Sequence, residues 1–458
     1  MRRIKGTDKA MTRWGFWFWL AAGGLTATLW AGGQMQPWVL PDTPSYLGPP
    51  ACPGCLGGMR LPVYGWLVGF AGGESTLPLW PWLHLAALVL AASSLGRALA
   101  RAGLSGAACL AAALSVAVST AAILWGRGIV PEIPSNAAAI AALAATIDGA
   151  FGAQYRRALV RAAGFLALAY LLKPNWLPLA LALPLLLALL RRSRGVSALP
   201  ALWLLAAGFA PFLAVSGVRL ATLGDFNIVS FGGFQMAGMA SLILTPDTVD
   251  RLPAEDRALA RNILRRRGVL EAAGAVAPIP RNSSGERSFA SAAIGYFDIL
   301  ARAHDTVLFE AVIHERSADE SWVAFNARAQ RFAIAVLLAE KPAYAAWVLG
   351  ATVRLTGRML AANPPFLLWS AALGAWFLWS RARDAPMALD VRPNAEVAIL
   401  VLIVGAYTGG AGALSVLATF PAGRYADSAG MLLALLPAYA LLRQVPALAE
   451  PADGRGEP

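Results

Sequence analysis

About ten stretches of this chain are apolar for long enough to form helices across a lipid bilayer. A transmembrane helix needs roughly 20 mostly apolar residues, because its backbone polar groups must be hydrogen-bonded within the helix. The stretches lie near residues 14–32, 78–96, 103–125, 135–149, 159–172, 176–190, 198–218, 363–380, 395–418 and 428–443. Only 14% of the 458 residues are charged, against roughly 25% in soluble domains. The sequence therefore predicts an all-α, polytopic transmembrane bundle of about ten spans.

Short basic clusters separate several of the apolar stretches. If the amino terminus is cytoplasmic, each of these clusters follows an even-numbered span and faces the cytoplasm, as the positive-inside rule requires. The clusters are Arg97 and Arg101; Arg156, Arg157 and Arg161; residues 191–194; and Arg381, Arg383 and Arg392. The net charge of +12 is therefore explained by membrane topology, and no nucleic-acid partner is expected.

Composition divides the chain into four parts. Residues 1–218 are predicted to form an N-terminal transmembrane bundle of about seven spans, whose outer loops carry candidate site residues. Residues 219–362 have apolar residues at helical spacing among frequent charges, which predicts an extracytoplasmic helical region. Residues 363–445 carry the last spans, and residues 446–458 form a cytoplasmic tail. Within the second part, "SFGGFQMAGMA" at 230–240 indicates a flexible segment that lies along the membrane surface or over a lipid groove.

Charged residues gather in the loops that this topology places on the outer face. Asp42 lies in "PDTPSYL" directly after the first span, and Glu132 lies in "GRGIVPEIPSN" before the fourth. Lys173 lies in "LLKPNW", and Arg424 and Tyr425 lie in "TFPAGRYADSA" before the last span. A carboxylate can accept a proton from a hydroxyl group, and Lys and Arg can bind phosphate oxygens. One face of the membrane thus carries acids and bases suited to transfer chemistry.

These loop residues, together with Arg60 in "MRLPVYGW", resemble the polyprenyl-phosphate-sugar-dependent glycosyltransferases of the GT-C fold. That group includes the protein mannosyltransferases and the aminoarabinose transferases of lipid A. The resemblance implies that Asp42 is the catalytic base and that Glu132 is a second catalytic acid. It also implies that the donor's lipid phosphate is held by Arg60, Lys173, Arg424 and Tyr425. The chain departs from the family in having one acid instead of an adjacent Asp-Glu pair in the first loop, and in the large insertion near 219–360.

The activity implied by the resemblance is that of an inverting membrane glycosyltransferase. Its partners would be a polyprenyl-phosphate-linked sugar donor, a glycan, lipid or protein acceptor, and membrane lipids. It would lie in the cytoplasmic (inner) membrane with its active site facing the periplasm or exterior. Two other classes stay open: a transporter or flippase of lipid-linked sugars, and a non-catalytic envelope assembly protein. The observation that discriminates among them is whether one cavity collects Asp42, Glu132, Lys173 and Arg424.

Metal and thiol chemistry receive little support from the sequence. No dedicated metal site is predicted, although Asp42 and Glu132 together could hold a divalent cation such as Mg²⁺, because hard cations bind carboxylate oxygens. The three histidines are predicted to be surface polar residues. The "CPGC" at 52–55 is predicted to form a structural disulfide or to hold two free thiols, since no βαβ pattern surrounds it.

The predicted topology can be tested with reporter fusions. A reporter fused after Arg192 should be cytoplasmic and one fused after Gly268 should be outside, because one span separates the two positions. Paired alkaline phosphatase and fluorescent-protein fusions at each site measure this directly. The same location for both reporters would contradict the ten-span arrangement.

Overall fold

The computed structural model describes residues 7–47, 60–281, 283–285, 287–289, 294–382, 395–418 and 423–445. Across these residues the regular secondary structure is helical. Extended pairing among them is limited to two isolated bridges, one joining Trp38 to Gly128 and the other joining Arg281 to Arg287. The prediction of an all-α polytopic fold is confirmed. The "CPGC" at 52–55 and the predicted tail at 446–458 lie outside the described residues.

The first ten helices come from the N-terminal part of the chain. Their bounds are α1 Thr7–Ala31, α2 Thr43–Tyr46, α3 Val63–Phe70, α4 Trp80–Arg101, α5 Gly106–Ala117, α6 Thr120–Trp125, α7 Glu132–Phe151, α8 Tyr155–Leu172, α9 Leu179–Ser193 and α10 Leu199–Leu223. Two 3-10 turns, Gly73–Leu79 and Pro174–Trp176, lead into α4 and α9. Serine hydroxyls begin two of the helices, since Ser105 accepts from Ala108 N in α5 and Ser119 accepts from Ala122 N in α6.

The remaining helices form the 219–362 region and the C-terminal part. Their bounds are α11 Gly232–Ile243, α12 Pro246–Arg251, α13 Ala254–Ala272, α14 Ile294–Arg302, α15 His304–Val307, α16 Trp322–Ala339, α17 Lys341–Ala361, α18 Pro364–Ala382, α19 Ala395–Leu417, α20 Gly423–Ala429 and α21 Leu435–Leu442. A π-helical turn, Leu308–Val312, and two 3-10 turns, Ile313–Glu315 and Gly430–Leu432, complete the set. The 219–362 region is therefore helical, as its periodicity predicts.

Six helical segments among the described residues are long and apolar enough to cross a membrane, judged by length and composition. They are Gly73–Arg101, Gly106–Trp125, Pro174–Ser193, Leu199–Leu223, Ala395–Leu417 and Gly423–Leu442. These are six of the ten predicted spans, and helices α1, α7, α8 and α18 lie at the other four. A seventh would be the pair α16 and α17, which is bent by 102°. The chain is an integral membrane protein, and ten spans stay a prediction.

The two main hydrophobic cores differ in the size of the residues that form them. In the membrane bundle, α4 packs against both α5 and α7, and many of the buried residues on these helices are alanine, which lets their backbones approach closely. A Cβ added at Gly96 would lie 2.7 Å from the Trp14 ring. The second core, within residues 234–347, combines alanines with large aromatic side chains such as Phe332 and Trp347.

A polar bridge supports the bundle where two candidate spans are interrupted. The first is broken between α5 and α6, and the second between α20 and α21. Asn363 lies between them: its side-chain amide donates to the Gly430 carbonyl at 3.1 Å, and its oxygen accepts from the Thr120 hydroxyl at 3.3 Å. Side-chain bonds of this kind replace the helical bonds that a break removes.

The loop after α1 is fixed to the loop before α7. Trp38 N donates to the Arg127 carbonyl at 2.8 Å, and Ile129 N donates to the Trp38 carbonyl at 3.0 Å. The Thr43 hydroxyl donates to the Ile129 carbonyl at 3.0 Å and accepts from Leu40 N. These bonds hold Asp42 beside the start of α7.

The segment at 230–240 is largely helical and buried, in place of the flexible surface segment that the sequence predicts. It forms most of α11, whose inner face is buried against α16. Phe234 N donates to the Asn326 side-chain oxygen at 3.2 Å. Gly233 allows this close approach, because a Cβ there would collide with the Asn326 carbonyl and would lie 2.7 Å from Gln330 Cβ. Gly233, one of the glycines that suggest a flexible turn, is needed for tight helix packing.

Adjacent glycines provide a matched test of this packing. Gly233→Ala should lower the free energy of unfolding by about 1–3 kcal/mol, because the added methyl group overpacks the α11–α16 contact. Gly232→Ala should be tolerated, because no atom lies within 4 Å of a Cβ at that helical position. Thermal unfolding of both full-length variants in one detergent measures the difference. Equal unfolding midpoints would contradict the packing assigned to Gly233.

Candidate functional site

Arg424 lies at the centre of a group of charged side chains. Its guanidinium contacts the Asp42 carboxylate at 2.6 Å and the Glu132 carboxylate at 3.3 Å. Arg424 is in the first turn of α20, Asp42 lies in the loop after α1, and Glu132 begins α7. Three segments that are distant in sequence therefore meet at one guanidinium, whose planar fork suits two carboxylates at once.

Glu132 and Lys173 form a buried ion pair beneath Arg424. Lys173 Nζ lies 3.0 Å from Glu132 Oε1, and the side chains are 7% and 1% exposed. Helices α7 and α8 are joined by three residues, so the start of α7 lies beside the end of α8. An acid in the first turn of one helix and a base after the last turn of the other also suit the two helix dipoles. Lys173 Nζ additionally lies 4.6 Å from the centre of the Tyr425 ring.

Arg60 is held on the other side of Asp42. Its guanidinium is 3.8 Å from the Asp42 carboxylate, and it stacks on the Phe231 and Tyr46 rings at 4.4 Å and 5.0 Å. Burial raises the pKa of Tyr46, so this phenol stays neutral beside the guanidinium. The six predicted site residues thus form one connected group, called here the charged cluster: Asp42, Arg60, Glu132, Lys173, Arg424 and Tyr425.

A cavity of about 420 Å³ adjoins the charged cluster. Its lining includes three arginines, Arg60, Arg358 and Arg424, and it is called here the arginine cavity. The other residues that line it are Leu40, Pro41, Asp42, Trp125, Phe231, Gln235, Asp305, Phe309, Gly423 and Tyr425. Of the four residues that the discriminating observation requires in one cavity, Asp42 and Arg424 line it, whereas Glu132 and Lys173 do not. That expectation is met only in part, because Glu132 and Lys173 lie behind the wall that a ligand would contact.

Five lining residues come from the 219–362 region and are not candidates in the sequence analysis: Phe231, Gln235, Asp305, Phe309 and Arg358. Arg358, on α17, forms no salt bridge or side-chain hydrogen bond with any other described residue. Its guanidinium rests on Gly423, where an added Cβ would collide with it. Asp305 contacts only the His304 ring among the described side chains, at 3.4 Å, and 57% of its side chain is exposed. Their isolated positions in amphipathic helices give no local signal of a site.

The charged cluster does not fit a divalent cation shared by Asp42 and Glu132. The Arg424 guanidinium bridges these two carboxylates, and a second cation would have to displace it. No group of three or more His, Cys, Asp and Glu side chains suited to a metal ion occurs in the part of the chain that the structure describes. The residues present therefore favour chemistry based on carboxylates and guanidinium groups.

Two histidines differ from their predicted surface position. His84 is 1% exposed, and its ring nitrogens contact the Gly126 carbonyl at 3.1 Å and the Tyr64 hydroxyl at 3.4 Å. His304 is fully buried, with Nε2 3.1 Å from the Gln235 carbonyl. Both rings connect elements that border the arginine cavity, while His314 is exposed as predicted.

The chain is matched by no protein-family model, no curated protein and no solved structure. Its function is therefore inferred from the chemistry of its own residues. The informative features are the charged cluster, the arginine cavity and the membrane-spanning helices that carry them.

The buried ion pair predicts a large loss of stability when one partner is neutralised. Glu132→Gln leaves Lys173 buried without its carboxylate, so we expect destabilisation of about 3–5 kcal/mol. Adding Lys173→Met should restore part of this loss, because the uncompensated charge is removed. Thermal unfolding of the single and double variants measures both effects.

Asp42→Asn is the comparison variant, because this carboxylate is 34% exposed and its loss should affect stability much less. If Glu132→Gln unfolds at the wild-type temperature, the Glu132–Lys173 pair is not a structural support.

Proposed function

We propose that this protein is a membrane glycosyltransferase of the GT-C type, which moves a sugar from a polyprenyl-phosphate donor to an acceptor on the extracytoplasmic face of the inner membrane. One observation supports this above all. The six residues selected from separate loops meet in one charged cluster, and four of them line a cavity: Asp42, Arg60, Arg424 and Tyr425. A transporter would be expected to hold such charges near the bilayer midplane, in two matching halves.

In this proposal the arginines bind the donor phosphate. Arg358 is the leading candidate, because it lines the cavity and forms no salt bridge with a described carboxylate, although its charge acts on Asp427 from beyond salt-bridge distance. Arg424 directly follows Gly423 in the chain, and the Arg358 guanidinium rests on Gly423. The two arginines therefore lie close together. Guanidinium groups bind phosphate oxygens through paired hydrogen bonds. A phosphate here would also relieve the repulsion between the two like charges.

The proposed reaction is a single displacement at the anomeric carbon. Asp42 takes the proton of the acceptor hydroxyl while the acceptor oxygen forms its bond to the sugar. The bond between the anomeric carbon and the phosphate oxygen breaks, and its electron pair leaves with the lipid phosphate. Arg358 and Arg424 stabilise the negative charge that develops on this leaving group. Glu132 and Lys173 act by positioning Arg424, because neither lines the cavity.

The acceptor would enter from the side formed by the 219–362 region. Gln235, Asp305 and Phe309 line the cavity there, and 48% of the Phe309 side chain is exposed. An amide, a carboxylate and an aromatic face can bind hydroxyl groups and a sugar ring. This gives the large insertion a direct role in substrate binding.

A transfer assay tests the proposal. Purified full-length protein in liposomes is incubated with radiolabelled polyprenyl-phosphate sugars and envelope extracts, and label in the acceptor fraction is measured. Asp42→Asn should lower turnover by about 10²–10⁴-fold, the usual contribution of a general base. Arg358→Ala should raise the KM for the donor. Asp319→Asn, an exposed acid outside the cavity, is the matched control and should keep wild-type kinetics.

Each alternative has its own result in this assay. Movement of labelled lipid across the bilayer without transfer would identify a flippase. No transfer from any donor in the panel would argue against the glycosyltransferase proposal. Normal transfer by Asp42→Asn would remove Asp42 as the base.

A further inference from the structure

Helix α8 connects the charged cluster with a second feature at its opposite end. Lys173 directly follows its last residue, and Tyr155 begins it. Eighteen helical residues span roughly 27 Å, close to the ~30 Å thickness of the hydrocarbon layer. In the ten-span topology that the sequence predicts, the start of α8 lies near the membrane surface opposite the arginine cavity, on the side that the basic loops predict to be cytoplasmic.

An apolar cleft of about 520 Å³ opens there between the first turns of α8 and α10. The residues that line it are Tyr155, Arg156, Leu159, Val160, Leu199, Pro200, Leu202 and Trp203. Several of these apolar side chains are largely uncovered, with Val160 61%, Leu202 63% and Leu199 69% exposed. The cleft thus has the surface expected of a groove that an acyl chain fills, in a protein surrounded by lipid.

A smaller cavity of about 340 Å³ adjoins the cleft and shares Tyr155 and Arg156 with it. Its lining is residues 153–157, which include Arg157. The nearby acid Asp148 is already paired with Arg101 at 2.7 Å and with Arg161 at 3.4 Å. Within the described chain, no carboxylate pairs with Arg156 or Arg157.

Arg191 adds a third positive charge beside this cavity. Its guanidinium lies 5.4 Å from the centre of the Tyr155 ring and donates to the Ser197 and Gly149 carbonyls. These bonds keep its charge next to the residue that the cleft and the small cavity share. The basic side of the site is therefore partly built into the fold.

We propose that these adjoining cavities bind one anionic phospholipid, with an acyl chain in the cleft and the phosphate at Arg156 and Arg157. Charge complementarity selects an anionic headgroup, since no described carboxylate pairs with Arg156 or Arg157, and Asp148 is already paired elsewhere. The apolar cleft selects a lipid over a free phosphate. Tyr155 and Trp203 are typical of the interface where headgroups meet acyl chains, and basic pockets between membrane helices favour anionic headgroups. This site is independent of the proposed transfer reaction.

Native mass spectrometry of the full-length protein tests the site. Delipidated protein is titrated with phosphatidylglycerol or with phosphatidylcholine of the same acyl chains. The wild type should retain one phosphatidylglycerol more strongly than phosphatidylcholine. The double variant Arg156→Gln with Arg157→Gln should lose about tenfold in phosphatidylglycerol retention and keep that of phosphatidylcholine. Leu202→Trp, which fills the cleft and leaves the charges, should weaken retention of both lipids.

Arg97→Gln is the matched control, because it removes an exposed arginine on α4 away from the cleft. It should bind phosphatidylglycerol as the wild type does. An equal loss in Arg97→Gln would show a general surface-charge effect and overturn the proposal. Equal retention of the two lipids by the wild type would overturn it too, as would displacement of phosphatidylglycerol by millimolar inorganic phosphate.

Discussion

The contact on which the site depends is the buried carboxylate of Glu132 between two cations. Removing a carboxylate from water costs several kcal/mol unless it is paired and hydrogen-bonded. Lys173 and Arg424 compensate that cost here, at 3.0 Å and 3.3 Å. One cation alone would offset less of the cost of burying Glu132. The two cations together therefore hold the start of α7, the end of α8 and the start of α20 next to one another. Arg424 then fixes the direction of Asp42.

The charged cluster separates support from chemistry. Glu132 and Lys173 lie behind the cavity wall, whereas Asp42, Arg60 and Arg424 line it and can contact a ligand. The sequence places all of these charged residues in loops on one face of the membrane, and the structure shows which of them a ligand can contact. Because Glu132 and Lys173 are buried, they do not contact a ligand in the cavity. Their partners cannot exchange them for water, so the pair holds Arg424 in place.

The arginine cavity belongs jointly to the membrane helices and the 219–362 region. Asp42, Arg60 and Arg424 come from segments next to predicted spans, while Gln235, Asp305, Phe309 and Arg358 come from the intervening region. In the proposed reaction this arrangement brings a lipid-linked donor and an acceptor together, because each wall suits one of them. The glycine contacts at Gly233 and Gly423 show how closely the elements around the cavity approach.

The sequence by itself determined the helical class, the membrane setting and six members of the charged cluster, because hydrophobic run length and isolated charges in loops are local signals. It did not determine which of these residues reach a ligand. Arg358 and Asp305 escaped prediction because they resemble ordinary polar positions on amphipathic helices. Only tertiary packing decided their place, since it brought together segments more than a hundred residues apart and left some charges paired and buried and others facing the cavity.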